Sequence, residues 1–145
     1  MNSFDPIRRL GVVGILLLAC TTASHAQVAV VAGAKSGATA LTADQAAALY
    51  LGKSDKAPGV GTLQLVDQGE ASPVREQFYT KVTGKTPAQV KAAWTRLVFS
   101  GKAQLPKEAG SSADVKKLLD ANPNAIGYIE KSAVDSSVKV LLSVE

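Results

Sequence analysis

The alternation of β-branched apolar runs with capped helix starts is the feature that most restricts how this chain can fold. Four segments have the composition of short strands: residues 27–32, 62–67, 125–130 and 137–143. Between them, four hydroxyl residues stand where helices are predicted to begin: Thr42, Ser72, Thr86 and Ser112. The predicted order is β-α-β-α-α-α-β-β. Such interleaving is typical of an α/β domain with a mixed or largely parallel sheet.

The first 26 residues have the three-part pattern of an export signal. Arg8 and Arg9 precede an apolar run at residues 10–20, which is shorter than the ~20 residues that a membrane span needs. Small residues at Ser24 and Ala26 predict cleavage before Gln27, and hence a periplasmic domain at residues 27–145. Leu17-Leu18-Ala19-Cys20 also resembles a lipobox, so acylation at Cys20 is the alternative processing route.

Residue types exclude most enzyme classes. The single Cys and the single His, Cys20 and His25, both lie in the predicted signal. The domain therefore has no thiol or imidazole for nucleophilic catalysis or a zinc site, and no metal or cofactor is expected. It has neither a phosphate-loop glycine pattern nor a G-x-S-x-G elbow. The carboxylates of Asp67, Glu70 and Glu76 are expected to be solvated in a loop, so the sequence predicts a protein that is not an enzyme.

The distribution of charge argues against nucleic acid as a partner. The chain has 16 Lys and Arg against 12 Asp and Glu. Without Arg8, Arg9 and Asp5, the predicted domain keeps a net charge of +3. Its basic residues are scattered and are not interleaved with aromatics in a stripe, as nucleic-acid binding would require. A modest positive field favours small anions only weakly.

The segment Ser72 to Phe78 (SPVREQF) contains the candidate binding residues. It follows a predicted strand, and ligands of open α/β sheets bind outside the carboxyl ends of strands. A helix start offers free N–H groups to an anion, to which Ser72 could add a hydroxyl and Arg75 a charged, forked donor. The alternative is an ordinary helix start, since Pro73 is common at the first helical position and removes one donor.

Four segments, in this order and spacing, resemble the phosphate-binding proteins of ABC uptake systems: Leu41 to Lys53 (LTADQAAALYLGK), Ser72 to Phe78, Trp94 to Lys102 (WTRLVFSGK) and Pro123 to Ile129 (PNAIGYI). In that family a helix leads into an "IF-G-K"-like turn, a serine-rich helix start contacts phosphate, and a "GAIGY" strand returns toward a hinge. Leu51-Gly52-Lys53 and Asn124 to Tyr128 stand in those places here. The resemblance implies one lobe of a type 2 periplasmic-binding-protein-like fold, with a mixed sheet flanked by helices.

The resemblance also implies an exported, non-enzymatic, solute-binding-like protein that binds phosphate or another oxyanion weakly, with Ser72 carried over as a ligand residue and Arg75 as a substitute donor. The family has two lobes, and its Ser-Gly-Thr helix start is Ser72-Pro73-Val74 here, with Asp67-Gln68 near the place of an upstream Arg. The implied partners are an ABC transporter permease or a periplasmic protein, and a homodimer could rebuild the cleft. The alternative function is an interaction or sensory accessory protein that kept the fold and lost the ligand.

Four further residues in the resembling segments have structural roles predicted from their type. Trp94 and Phe99 are expected to pack in the core or on the lobe surface. Gly127, inside a strand, predicts a close backbone approach or a bend. Tyr128 is expected to pack with its hydroxyl at a surface partner.

Overall fold

A single mixed sheet of five strands organises the domain. The computed structural model describes residues 27–145, so the predicted signal peptide at residues 1–26 and the alternative at Cys20 lie outside the described residues. The strands are β1 (Val28–Gly33), β2 (Gln64–Gln68), β3 (Lys107–Ala109), β4 (Ala125–Glu130) and β5 (Val138–Val144). The α-helices are α1 (Ala43–Tyr50), α2 (Pro73–Phe78), α3 (Pro87–Phe99) and α4 (Ser112–Ala121).

The sheet has the order β3-β2-β4-β1-β5. Strand β2 runs parallel to both β3 and β4, whereas β1 runs antiparallel to both β4 and β5. The predicted α/β class, with a mixed sheet flanked by helices, is therefore confirmed.

Strand β1 separates two layers of core, which explains its continuous apolar sequence. Residues 28–32 are fully buried. Val28, Val30 and Ala32 face the core beneath α1, α2 and α3, while Ala29 and Val31 face α4 on the other side. A strand covered on both faces has no polar side, so it does not alternate in the way that a half-exposed strand does.

The helix starts follow the predicted capping chemistry with two differences. Helices α1 and α3 begin after Thr42 and Thr86, as predicted, and each has a complete capping box. Helix α4 is capped by Ser111, one residue before the predicted cap. The helix predicted to begin at Ser72 is an α-helix only as far as Phe78, and it continues as a π-helical turn over Tyr79–Thr83.

Strand β3 is not among the four strands predicted from the sequence. This three-residue strand has no β-branched residue and is formed through its parallel pairing with β2, from Val66↔Lys107 to Gln68↔Ala109. Its sequence carries no local strand signal, because the stabilising hydrogen bonds come from a distant segment. Within residues 27–145, no helix has both the length and the apolar character needed to cross a membrane.

Two of the predicted packing roles are confirmed and one is wrong. Trp94 is buried and its indole N–H donates to the carbonyl of Tyr50 at 2.8 Å. At Gly127, a Cβ would lie 2.7 Å from Val115 Cγ1, which is the close approach predicted from a glycine inside a strand. Phe99, however, is 88% exposed and packs neither in the core nor against the domain surface.

Candidate functional site

A cleft forms where three parallel strands end and two helices begin. It has a volume of about 630 Å³, and we call it the strand-end cleft. It lies at the carboxyl ends of β2, β3 and β4, the edge at which open α/β sheets bind ligands. Its lining comprises residues 68–74, Glu108, residues 110–113 and Glu130.

Ser72 lies in this cleft, at the N-cap position of α2, but its hydroxyl does not cap the helix. The Ser72 hydroxyl instead donates to Gln68 Oε1 at 2.7 Å, and no side chain accepts from the first N–H groups of α2. Pro73 contributes no N–H, so the backbone donors of this helix start begin at Val74.

Gln68 fixes the position of Ser72. The Gln68 side chain is almost fully buried, and its amide nitrogen donates to the carbonyl of Tyr128 at 3.0 Å and to Ser112 Oγ at 3.3 Å. With its amide nitrogen committed to these two acceptors, its oxygen is aimed at Ser72. Gln68 thus connects β2, β4 and the starts of both helices, a role that the sequence did not reveal.

Arg75, the second predicted binding residue, is not part of the cleft lining. Its Nε lies 3.7 Å from Asp67 Oδ2, an ion-pair distance without a hydrogen bond, and the two side chains are 12% and 15% exposed. The Arg75 guanidinium carbon also lies 5.3 Å from the centroid of the Tyr79 ring. The structure therefore separates Arg75 from Ser72 and pairs it with a carboxylate of the same domain.

Asp67, whose side chain was predicted to be solvated, is the centre of a polar cluster. The hydroxyls of Tyr79 and Tyr128 donate to its two carboxylate oxygens, and the backbone N–H of Gln68 donates to Oδ1. The prediction that the carboxylate is solvated is therefore wrong for Asp67, whereas the side chains of Glu70 and Glu76 are exposed. The Tyr128 hydroxyl accordingly finds its partner inside the domain and not at the surface.

Burial and the Asp67 charge set the ionisation of this cluster. Burial, together with the Asp67 carboxylate, raises the pKa of both Tyr79 and Tyr128 well above the usual value of a phenol. Burial alone would lower the pKa of Arg75, but its interactions with Tyr79 and Asp67 raise it. At neutral pH the two phenols therefore keep their protons and donate them to Asp67, and the Arg75 guanidinium keeps its charge beside them.

The lining of the strand-end cleft has mixed electrostatics. The start of α4 and the hydroxyls of Ser72 and Ser112 favour a small anion. The carboxylates of Glu70, Glu108 and Glu130 oppose one. Lys91 offsets part of this charge, since its Nζ lies 2.9 Å from Glu70 Oε1 and lowers the pKa of that carboxyl. Among residues 27–145, no group of three or more His, Cys, Asp or Glu is arranged to hold a metal ion.

Several solved structures have the same fold. A protein from Clostridium perfringens, described as a phosphate ABC transporter substrate-binding protein and solved with bound phosphate, has a TM-score of 0.61 and 23% identity; the alignment covers 80% of this chain and 45% of that protein. An ABC-type phosphate transport receptor from Vibrio cholerae has a TM-score of 0.61 and 22% identity, with coverages of 80% and 46%. PstS from Borrelia burgdorferi has a TM-score of 0.58 and 15% identity, with coverages of 80% and 47%.

These similarities show the fold alone, which this chain shares with part of each of these proteins. The matched region spans less than half of the length of these proteins. No family model matches the sequence, and neither does any curated protein.

Proposed function

We propose that this chain is an exported, non-enzymatic, solute-binding-like protein that binds phosphate or another small oxyanion weakly in the strand-end cleft. The observation that carries the proposal is the convergence of two helix starts, those of α2 and α4, on the ends of three parallel strands. The same fold in proteins described as phosphate-binding supports the choice of ligand class. Export rests on the signal pattern of residues 1–26.

Ser72 is proposed as the contact residue and Arg75 as its electrostatic support. The Ser72 hydroxyl is positioned by the hydrogen bond that it donates to Gln68 Oε1, and its single proton would turn from that oxygen to be donated to an oxyanion. Arg75 acts from one turn further along α2, where its charge is shared with Asp67. Both residues therefore contribute, but the direct contact belongs to Ser72.

Weak binding follows from two features of the cleft. Three lining carboxylates repel an anion, and the cleft formed by the described residues is open to water, so each hydrogen bond competes with solvent. A dissociation constant of about 1 mM, or roughly −4 kcal/mol, is the affinity expected of such an open, partly acidic cleft.

The test is a phosphate titration of residues 27–145, monitored by calorimetry and by backbone amide shifts. We expect saturable binding near about 1 mM, with shifts concentrated at residues 69–74 and 110–113, and a Ser72→Ala variant that binds roughly fivefold more weakly, a loss of about 1 kcal/mol. Ser136→Ala, at an exposed serine before β5, is the matched control. Absence of binding at tens of millimolar, or equal affinity in Ser72→Ala, would refute the proposal.

A second candidate function is an interaction or sensory accessory protein that kept the fold and lost the ligand. The observation that favours it is the pairing of Arg75 with Asp67, which neutralises that cation without a ligand. Its partners would be an ABC transporter permease or another periplasmic protein, with no nucleic acid involved. A homodimer could place a second lobe over the cleft, so sedimentation with and without phosphate separates a ligand-dependent dimer from an accessory protein that ignores phosphate.

A further inference from the structure

A second cavity lies at the opposite edge of the sheet from the strand-end cleft. It has a volume of about 480 Å³, within the range of about 300–1,000 Å³ that is usual for ligand pockets. It lies beside the beginnings of β2 and β3, and since these strands are parallel, their beginnings and ends are at opposite edges. Its lining comprises residues 52–55, residues 63–65, Trp94 and residues 101–106, and we call it the lysine cavity.

Two matching helix ends place lysines at this cavity. Helices α1 and α3 both end at a glycine with positive φ, Gly52 at 72° and Gly101 at 69°, each followed by lysine. The N–H of Lys53 donates to the carbonyl of Ala48 at 2.9 Å, and that of Lys102 donates to the carbonyl of Leu97 at 3.0 Å. Lysine near a helix end complements the helix dipole. Nevertheless, neither side chain forms an ion pair within the described chain.

Leu105, which lines the cavity, belongs to a short stretch of sequence with further exposed apolar side chains. Phe99, Leu105 and Val98 are 88%, 63% and 40% exposed, and all three lie in the segment that ends α3 and leads into β3. These are three of the four large apolar side chains exposed in the described chain, and the fourth, Val140, lies on β5. Clustered exposure of this kind marks interaction surfaces more often than isolated exposed residues do.

The sequence around the cavity is mainly basic, which favours an acidic binding partner. Segments 52–56 and 94–107 contain five basic residues and one carboxylate, Asp55; the basic residues are Lys53, Lys56, Arg96, Lys102 and Lys107. A second copy of this chain, meeting it face to face, would place these cations against one another. A concave, partly apolar cavity also fits an inserted side chain better than it fits a flat lipid surface.

We propose that the lysine cavity and the exposed side chains of Phe99 and Leu105 bind an acidic peptide segment of a partner protein. The segment would insert an aliphatic or aromatic side chain above Trp94, which is buried beneath the cavity. Its Asp or Glu side chains would pair with Lys53 and Lys102. This surface shares no lining residue with the strand-end cleft, so peptide binding here does not depend on phosphate binding there.

The test begins with selection from a displayed library of random peptides, using residues 27–145 as the target. The expected consensus combines Asp or Glu with Leu, Ile, Phe or Trp. A synthetic peptide of that consensus should bind at least tenfold more weakly to Phe99→Ser and to the double variant Lys53→Glu/Lys102→Glu, and its affinity should fall with added salt. Val140→Ser and Lys117→Glu, at other exposed positions, are the matched controls and should bind as the unchanged protein does.

Other occupants give distinct results that would overturn the proposal. Dependence of binding to phosphatidylglycerol vesicles on Phe99, without peptide selection, would indicate a membrane surface. Concentration-dependent dimerisation abolished by Phe99→Ser would indicate a second copy. Selected peptides that bind equally to all variants would place the site elsewhere. A phosphate titration of Phe99→Ser, which should match the unchanged protein, keeps this test separate from that of the strand-end cleft.

Discussion

Raising the pH above about 10 is expected to destabilise the domain through its tyrosines. The chain contains three, Tyr50, Tyr79 and Tyr128, and all three are buried. Burial raises the pKa of each, with the Asp67 carboxylate as a second cause. Below the unfolded pKa of about 10, both the folded and the unfolded chain hold the phenol protons, so pH has no effect through these groups. Above it, the unfolded chain loses protons that the folded chain keeps, and stability must fall.

The magnitude follows from linkage. Each tyrosine that ionises only in the unfolded state lowers the free energy of unfolding by about 1.4 kcal/mol per pH unit above its unfolded pKa. Between about pH 9 and about pH 11 the three together remove roughly 4 kcal/mol. A domain of this size has about 5–15 kcal/mol in total, so the midpoint of urea unfolding should fall steeply across this range.

Urea titrations at a series of pH values provide the assay, with single Tyr→Phe variants for comparison. Tyr128→Phe also loses a hydrogen bond to Asp67, which lowers stability by about 1–3 kcal/mol at every pH. The informative quantity is therefore the slope of stability against pH, which each variant should reduce by about one third. The reasoning is refuted if ultraviolet absorbance records phenol ionisation near pH 10 while the fold persists, or if the slope is the same in all variants.

Three further predictions concern stability measured by urea unfolding. Gly127→Ala should cost about 1–3 kcal/mol because its Cβ would meet Val115 Cγ1, and adding Val115→Ala should restore part of the loss, whereas an additive double variant would contradict the steric explanation. Gly84→Ala should lower the free energy of unfolding by about 1 kcal/mol because its φ is positive, and Gly52→Ala should lower it further. Both glycines have positive φ, but only the Cβ at position 52 would meet a side chain. Equal losses of stability in the two variants would refute this explanation. Thr86→Ala should cost about 1 kcal/mol by removing the α3 capping box, and an unchanged midpoint would contradict it.

Much of the local structure was predictable because its signals are local. The capping boxes at Thr42 and Thr86 involve residues three apart, and continuous β-branched sequence predicted the buried strand β1. Strand β3 was missed, since three residues with no strand propensity became a strand by pairing with β2. Phe99 was predicted to pack from its residue type, but whether a helix face is covered depends on which elements lie beside it.

In the candidate site, too, the local features were predictable from the sequence and the long-range contacts were not. The sequence alone determined that a helix starts at Ser72, a short loop after a strand, because Ser-Pro at a helix start is a local pattern. Only the tertiary structure decided that Arg75 pairs with Asp67 and that the Tyr128 hydroxyl, 61 residues away in sequence, joins them. Contacts over such a separation depend on strand order and register, which bring β2 beside β4, and no short window of sequence specifies them.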